Sequence, residues 1–95
     1  MADISANTVT AEVTVQDQRG LHLRLASEIV RKCAPFSAVV TITAPGKNKA
    51  ADARSTLALM SLAAPCGSRL TVSACGEDAA DALGAMQKLF ARQHP

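Results

Sequence analysis

Val9, Ala11, Val13 and Val15 alternate with Thr8, Thr10, Glu12 and Thr14, a period of two that predicts a half-buried strand over about Thr8–Gln16. Gln18-Arg19-Gly20 makes the turn, and the period then changes. Leu25, Ala26, Ile29, Val30 and Cys33 fall on one helical face, predicting a helix over about Leu23–Ala34 that stops before Pro35. Arg31 and Lys32 stand in its last turn, where cations complement the helix dipole. Ala38, Val40, Ile42 and Ala44 share one face of a second strand, with Thr41 and Thr43 on the other. Pro45-Gly46-Lys47-Asn48 turns the chain into a short strand over Lys49–Ala53, whose nearby charges Lys47, Lys49 and Asp52 suit an edge. Ser55 caps a short helix over about Thr56–Ala63, with Leu57, Met60 and Ala64 at helical spacing, ended by Pro65-Cys66-Gly67. Leu70, Val72 and Ala74 then alternate with Thr71 and Ser73 in a strand over Arg69–Cys75. Gly76-Glu77-Asp78 leads into a last helix over about Ala79–Arg92, with the acidic residues near its positive end and an apolar stripe of Leu83, Met86, Leu89 and Phe90. Met1–Asn7 reads as a frayed start.

The order is βαββαβα, without an internal repeat. Alternating strands and amphipathic helices in one short chain predict an α+β domain spanning 1–95: an open sheet with three helices on one face and a Thr-rich face toward water. The pattern alone leaves the strand order open. Hydrophobic residues make up 48% of the 95 positions, yet Phe36 and Phe90 are the only aromatics, so the core is built from small aliphatic side chains. A net charge of +2 with no basic run, and strands without stacking aromatics, argue against a nucleic-acid partner. No apolar stretch approaches the roughly 20 residues of a membrane span, and the N-terminus lacks the regions of a signal peptide, which predicts a cytoplasmic protein without membrane insertion. Cys33, Cys66 and Cys75 are odd in number and irregular in spacing, with no C-x-x-C, so they are read as reduced thiols and no metal or cofactor is expected.

Gly20-Leu21-His22-Leu23-Arg24 places a histidine where strand gives way to helix, at or beside the N-cap. Free backbone N–H groups and the positive dipole end converge there, favouring an anion and disfavouring imidazolium. A neutral imidazole beside an anion site can accept a phosphoryl group and hold it. Arg24, one step into the helix, can pair with phosphate oxygens. The blander readings are an ordinary capping histidine and a solvated arginine. His94 reads as a tail residue.

Gly20-Leu21-His22-x-Arg24, Arg54-Ser55 opening the short helix, Met60-Ser61-Leu62, Gly67, and Thr71-Val72-x-Ala74-x-Gly76-Glu77-Asp78 together resemble the HPr family. HPr proteins are the histidine-containing phosphocarriers of the bacterial phosphoenolpyruvate-dependent phosphotransferase system. The resemblance implies an open-faced sandwich with an antiparallel four-stranded sheet in order 1-4-2-3. It implies that His22 takes phosphate on Nδ1 from phospho-enzyme I and passes it to an enzyme IIA-type partner, with Arg24 assisting. The chain would then be a monomeric carrier, and not a free-standing enzyme. Ser55 aligns with the serine that an HPr kinase phosphorylates in many members, a regulatory site. Leu23, Leu25, Arg54, Leu57 and Met60 are expected to line the partner-docking surface. The sequence departs from common members in three places: Leu23 replaces a small or polar residue, Leu25 replaces a proline, and the turn between Gly46 and Ser55 is about two residues longer. Leu25 thereby restores a backbone N–H that proline lacks, close to where a phosphate would sit. The alternative within the same resemblance is a regulatory HPr-like protein, nitrogen-related or kinase-controlled, that does not serve sugar transport.

Overall fold

The computed structural model describes residues 8–92, and both the expected frayed start and His94 lie outside them. Its elements are β1 (Thr8–Thr14), α1 (Leu23–Cys33), β2 (Val39–Ala44), a 3-10 turn (Pro45–Lys47), β3 (Lys49–Asp52), α2 (Thr56–Ser61), β4 (Arg69–Cys75) and α3 (Ala79–Ala91). The four strands form one sheet in the order β1-β4-β2-β3, every neighbouring pair antiparallel. This is the α+β layout and strand order expected above.

The period-two positions become cross-strand neighbours. Val13 pairs with Leu70, Val40 with Ala74, and Ile42 lies between Val72 on one side and Ala51 on the other. All of these are buried, and they form the floor of the core. Over that floor α1 lays Leu25, Ala26, Ile29 and Cys33, while α3 lays Ala79, Ala82, Met86, Leu89 and Phe90. Each large aliphatic side chain so buried contributes about 1.5–3 kcal/mol. Leu83, expected in the α3 stripe, is only partly buried at its edge, and Ala79 and Ala82 complete the contact face. Cys33 behaves as a small hydrophobe: its thiol lies 3.7 Å from the Met86 sulfur, and burial pushes its pKa up to about 11.

The short helix α2 turns Leu59 and Leu62 inward and leaves Leu57 and Met60 outside. Leu59 and Leu62 are fully buried, whereas Leu57 is 81% and Met60 38% exposed. Six residues make fewer than two turns, too few for an apolar stripe to identify itself by periodicity. Its N-terminus follows expectation, because the Ser55 hydroxyl accepts the Ala58 N–H at 3.1 Å. At the other end the Lys47 ammonium donates to the carbonyls of Leu62 and Ala63, covering two acceptors that the helix leaves open.

Ala63 itself follows the helix in a left-handed conformation, with φ +49°. An L side chain there costs roughly 1–2 kcal/mol, and glycine would relieve it while losing about 0.4–1 kcal/mol to unfolded-state entropy. Ala63 is exposed, so its methyl gives little burial in return. Ala63→Gly is therefore expected to raise stability by about 0.5–1 kcal/mol and the melting temperature by a few degrees. A lower melting temperature in a thermal scan would contradict this reading of the α2 terminus.

Two polar side chains tie the far end of α1 into the fold. Asp78, read from sequence as a dipole complement, makes no capping bond with its carboxylate. It accepts instead the N–H groups of Ser37 at 2.9 Å and Ala38 at 2.8 Å. Those bonds, the Ser37 N–H first, hold its carboxyl below the ordinary carboxylate range. Arg54 donates to the Phe36 carbonyl, and more weakly to that of Ala38 at 3.4 Å. Its guanidinium thus braces the α1–β2 connection while the residue itself stays exposed.

Candidate functional site

The segment between β1 and α1 is fixed at each step. Val15, fully buried, exchanges hydrogen bonds with the α2–β4 connection: its N–H reaches the Ser68 carbonyl at 2.9 Å, and its carbonyl receives the Gly67 N–H at 2.7 Å. Asp17 then turns the chain, its carboxylate accepting the Arg19 N–H at 2.8 Å and its carbonyl the Gly20 N–H at 2.9 Å. Gly20 has φ +74°, and a Cβ there would lie 2.5 Å from the Ala64 carbonyl oxygen. Only glycine permits that approach, which lets the Leu21 N–H bond the same oxygen at 2.8 Å.

His22 is the residue this arrangement delivers to the helix start. It is the N-cap of α1, with extended backbone angles φ −93° and ψ 179°, and its carbonyl accepts the Ala26 N–H at 2.9 Å. The ring does the capping. Nδ1 accepts the Arg24 backbone N–H at 3.2 Å, and Nε2 lies 3.1 Å from an Asp17 carboxylate oxygen. The two partners assign the tautomer, since a backbone N–H can only donate and an ionised carboxylate can only accept. Nδ1 therefore carries the lone pair and Nε2 the proton.

Asp17 is the one charged side chain buried among the described residues, at 8% exposure. Its pKa is held down to about 2, chiefly by the Arg19 backbone N–H and then by the His22 ring. Arg19 adds a side-chain ion pair at 3.4 Å. The Asp17 carboxylate accepts the Nε2–H of the ring, a charged partner in addition to the helix terminus. The only sequence signal for it was an acidic residue in the turn, five positions before the histidine.

Arg24 is exposed and shares a groove with Asp17, Arg19, Glu28, Lys32 and Arg92. Leu23 is 58% exposed beside the histidine, and α1 packs against α2, which carries the exposed Leu57 and Met60. Leu25 departs from expectation. Its side chain is 1% exposed and belongs to the core, so it does not line a docking surface. Its amide precedes the first bond of the helical ladder, the one from Ala26 to His22. Ser55 stands at the start of α2, whereas the chain leaving the C-terminal end of α2 bonds the His22 loop.

An imidazole nitrogen with a free pair, held at a helix N-terminus and flanked by an arginine, suits nucleophilic attack on phosphorus and retention of the transferred dianion. Comparison with known proteins shows the family. Residues 9–92 match the family described as the PTS HPr component phosphorylation site. The chain is 38% identical over 81 residues to the phosphocarrier protein HPr of Lysinibacillus sphaericus, covering 85% of this chain and 90% of that one. It is 40% identical over 67 residues to the HPr of Haemophilus influenzae, covering 70% and 76%. The crystal structure of an HPr from Bacillus anthracis superposes with a TM-score of 0.80 at 32% identity, covering 87% and 96%. With the fold, the ordered motifs and these relatives in agreement, the chain belongs to the HPr family of the phosphotransferase system.

Proposed function

We propose that this chain is a cytoplasmic, monomeric phosphoryl carrier that accepts phosphate on His22 Nδ1 from phospho-enzyme I and passes it to an enzyme IIA-type acceptor. The observation that carries the proposal is the ring's orientation. Nδ1 holds its free pair 3.2 Å from an amide of the first turn of α1. A phosphoryl group on that atom takes the lone pair that now accepts the Arg24 N–H, and so meets this released amide together with those of Leu23 and Leu25 in the first turn of α1. A helix N-terminus stabilises such an anion by about 0.3–1 kcal/mol, and up to about 2 kcal/mol where it is partly buried. The Arg24 guanidinium supplies a further charge-assisted bond to the phosphate oxygens. The group is thus held firmly enough to persist and exposed enough to be handed on.

Leu23, Leu57 and Met60 form the apolar part of the docking surface in this reading. Ser55, already the cap of α2, is the regulatory position: phosphate added by an HPr kinase would sit on a helix start, where it does little harm to the fold but places new charge on the helix that carries Leu57 and Met60. Incubation with phosphoenolpyruvate and a bacterial enzyme I tests the carrier role. Intact mass is expected to show the gain of a single phosphoryl group that is lost on brief acid treatment. A protein whose mass stays unchanged would refute it.

A further inference from the structure

We infer that Asp17 is a positioning residue that keeps a proton on His22 Nε2 while phosphate occupies Nδ1, so that the ring can leave as neutral imidazole. The inference rests on the carrier reading above and assigns a task to a residue outside the family motif.

The electron balance of the transfer shows why the proton matters. The Nδ1 pair forms the new N–P bond as the bond between phosphorus and the donor breaks and its pair returns to the donor. Nδ1 carries no proton, so none has to leave, and the ring becomes a phosphoimidazolium with its proton on Nε2. In the onward step the N–P pair returns to Nδ1. If Nε2 has kept its proton, the departing group is neutral imidazole. If the proton has been lost, the departing group is imidazolate, a far more basic leaving group. The charge that governs this choice is the one facing Nε2.

Asp17 faces Nε2 at 3.1 Å, and its side chain is 11% exposed, so solvent screens the pair only partly. Its other oxygen is occupied by the Arg19 N–H at 2.8 Å and the Arg19 Nε at 3.4 Å, which fixes the carboxylate's orientation toward the ring. The remaining charges in the groove with this carboxylate are Arg19 from the same loop, Arg24, Glu28 and Lys32 from α1, and Arg92 beyond α3. The α2–β4 connection brings Ala64, Pro65 and Cys66, which carry no charge. Arg19 and Arg24 both oppose a cationic ring. Among the described residues Asp17 is the carboxylate that hydrogen-bonds it.

The test compares the full-length wild type with Asp17→Asn, both phosphorylated chemically with phosphoramidate, by following phosphohistidine hydrolysis from acid to alkaline pH. Removing a charge at this distance is expected to move the pH at which hydrolysis falls to half its acid rate downward by about one unit or more. At pH above that midpoint the variant then hydrolyses about tenfold more slowly. A merely structural role for Asp17 would change the rate without moving the midpoint, and coincident midpoints overturn the inference. A second measurement needs no variant. The 15N spectrum of His22 in the unphosphorylated wild type should show the proton on Nε2 and the free pair on Nδ1, and a proton on Nδ1 overturns the inference. Failure of enzyme I to phosphorylate the wild type would refute the carrier role instead, and leaves both of these readouts intact.

Discussion

Replacing His22 with alanine is expected to abolish acid-labile labelling by phosphoenolpyruvate and enzyme I, whereas His94→Ala leaves it unchanged. The two histidines are chemically alike, so the difference has to come from surroundings. His22 is oriented at both ring nitrogens, by the Arg24 amide and by Asp17. Its Nδ1 points at a helix terminus that favours the incoming dianion. The loss should be complete, because no neighbouring side chain can replace an imidazole nucleophile: Asp17 is engaged by Arg19, and the Arg24 guanidinium offers only N–H donors. The substitution should leave the fold in place, since the ring is partly exposed and the core cluster does not include it. Circular dichroism on the same sample separates loss of the nucleophile from loss of the fold. Acid-labile phosphate on a folded His22→Ala protein would place the acceptor elsewhere and sink the central claim.

The parts of this molecule that were legible in the sequence are those governed by local periodicity. Val13, Val40, Ile42, Leu70 and Val72 announced an inward sheet face because strand side chains alternate strictly, and each of them is buried. Leu25, Ile29 and Cys33 likewise announced the buried face of α1. The hidden features are those in which a side chain serves a distant part of the chain. Lys47 reaches the end of α2, Arg54 reaches Phe36, and Asp78 holds the amides of Ser37 and Ala38. Each looks from sequence like an ordinary charged residue in a turn. In α2 the helix is too short for its pattern to distinguish Leu59 and Leu62 from Leu57 and Met60, so the core residues emerged only from the packing. At the site, motif and spacing pointed to His22 and Arg24 but were silent on Asp17, whose effect depends on a turn that folds the carboxylate back over five residues.

That turn depends on Gly20, and Gly20→Ala is expected to be the most damaging single-methyl substitution in the protein. Two independent costs coincide at this position. The backbone stands at φ +74°, where an L side chain costs roughly 1–2 kcal/mol. The new Cβ would also lie 2.5 Å from the Ala64 carbonyl oxygen and 3.0 Å from the Pro65 Cα, both backbone atoms that no rotamer change can move aside. Relief requires the two loops to part, and parting them breaks the 2.8 Å bond from the Leu21 N–H to that oxygen. A carbonyl or amide left unpaired costs a further 1–3 kcal/mol or so. Together these approach about 3 kcal/mol or more, against a total stability of about 5–15 kcal/mol for a small domain. The melting temperature should fall by more than about 10 °C. Because the strain falls between Asp17 and His22, phosphoryl acceptance should drop even at temperatures where the variant is still folded. Gly46→Ala is the control: nothing lies within 4 Å of a Cβ there, and its φ is not in the left-handed region. It should melt close to wild type. Equal melting temperatures for Gly20→Ala and Gly46→Ala would mean that the β1–α1 loop yields without cost, and that the ring of His22 is not held by the contact with Ala64.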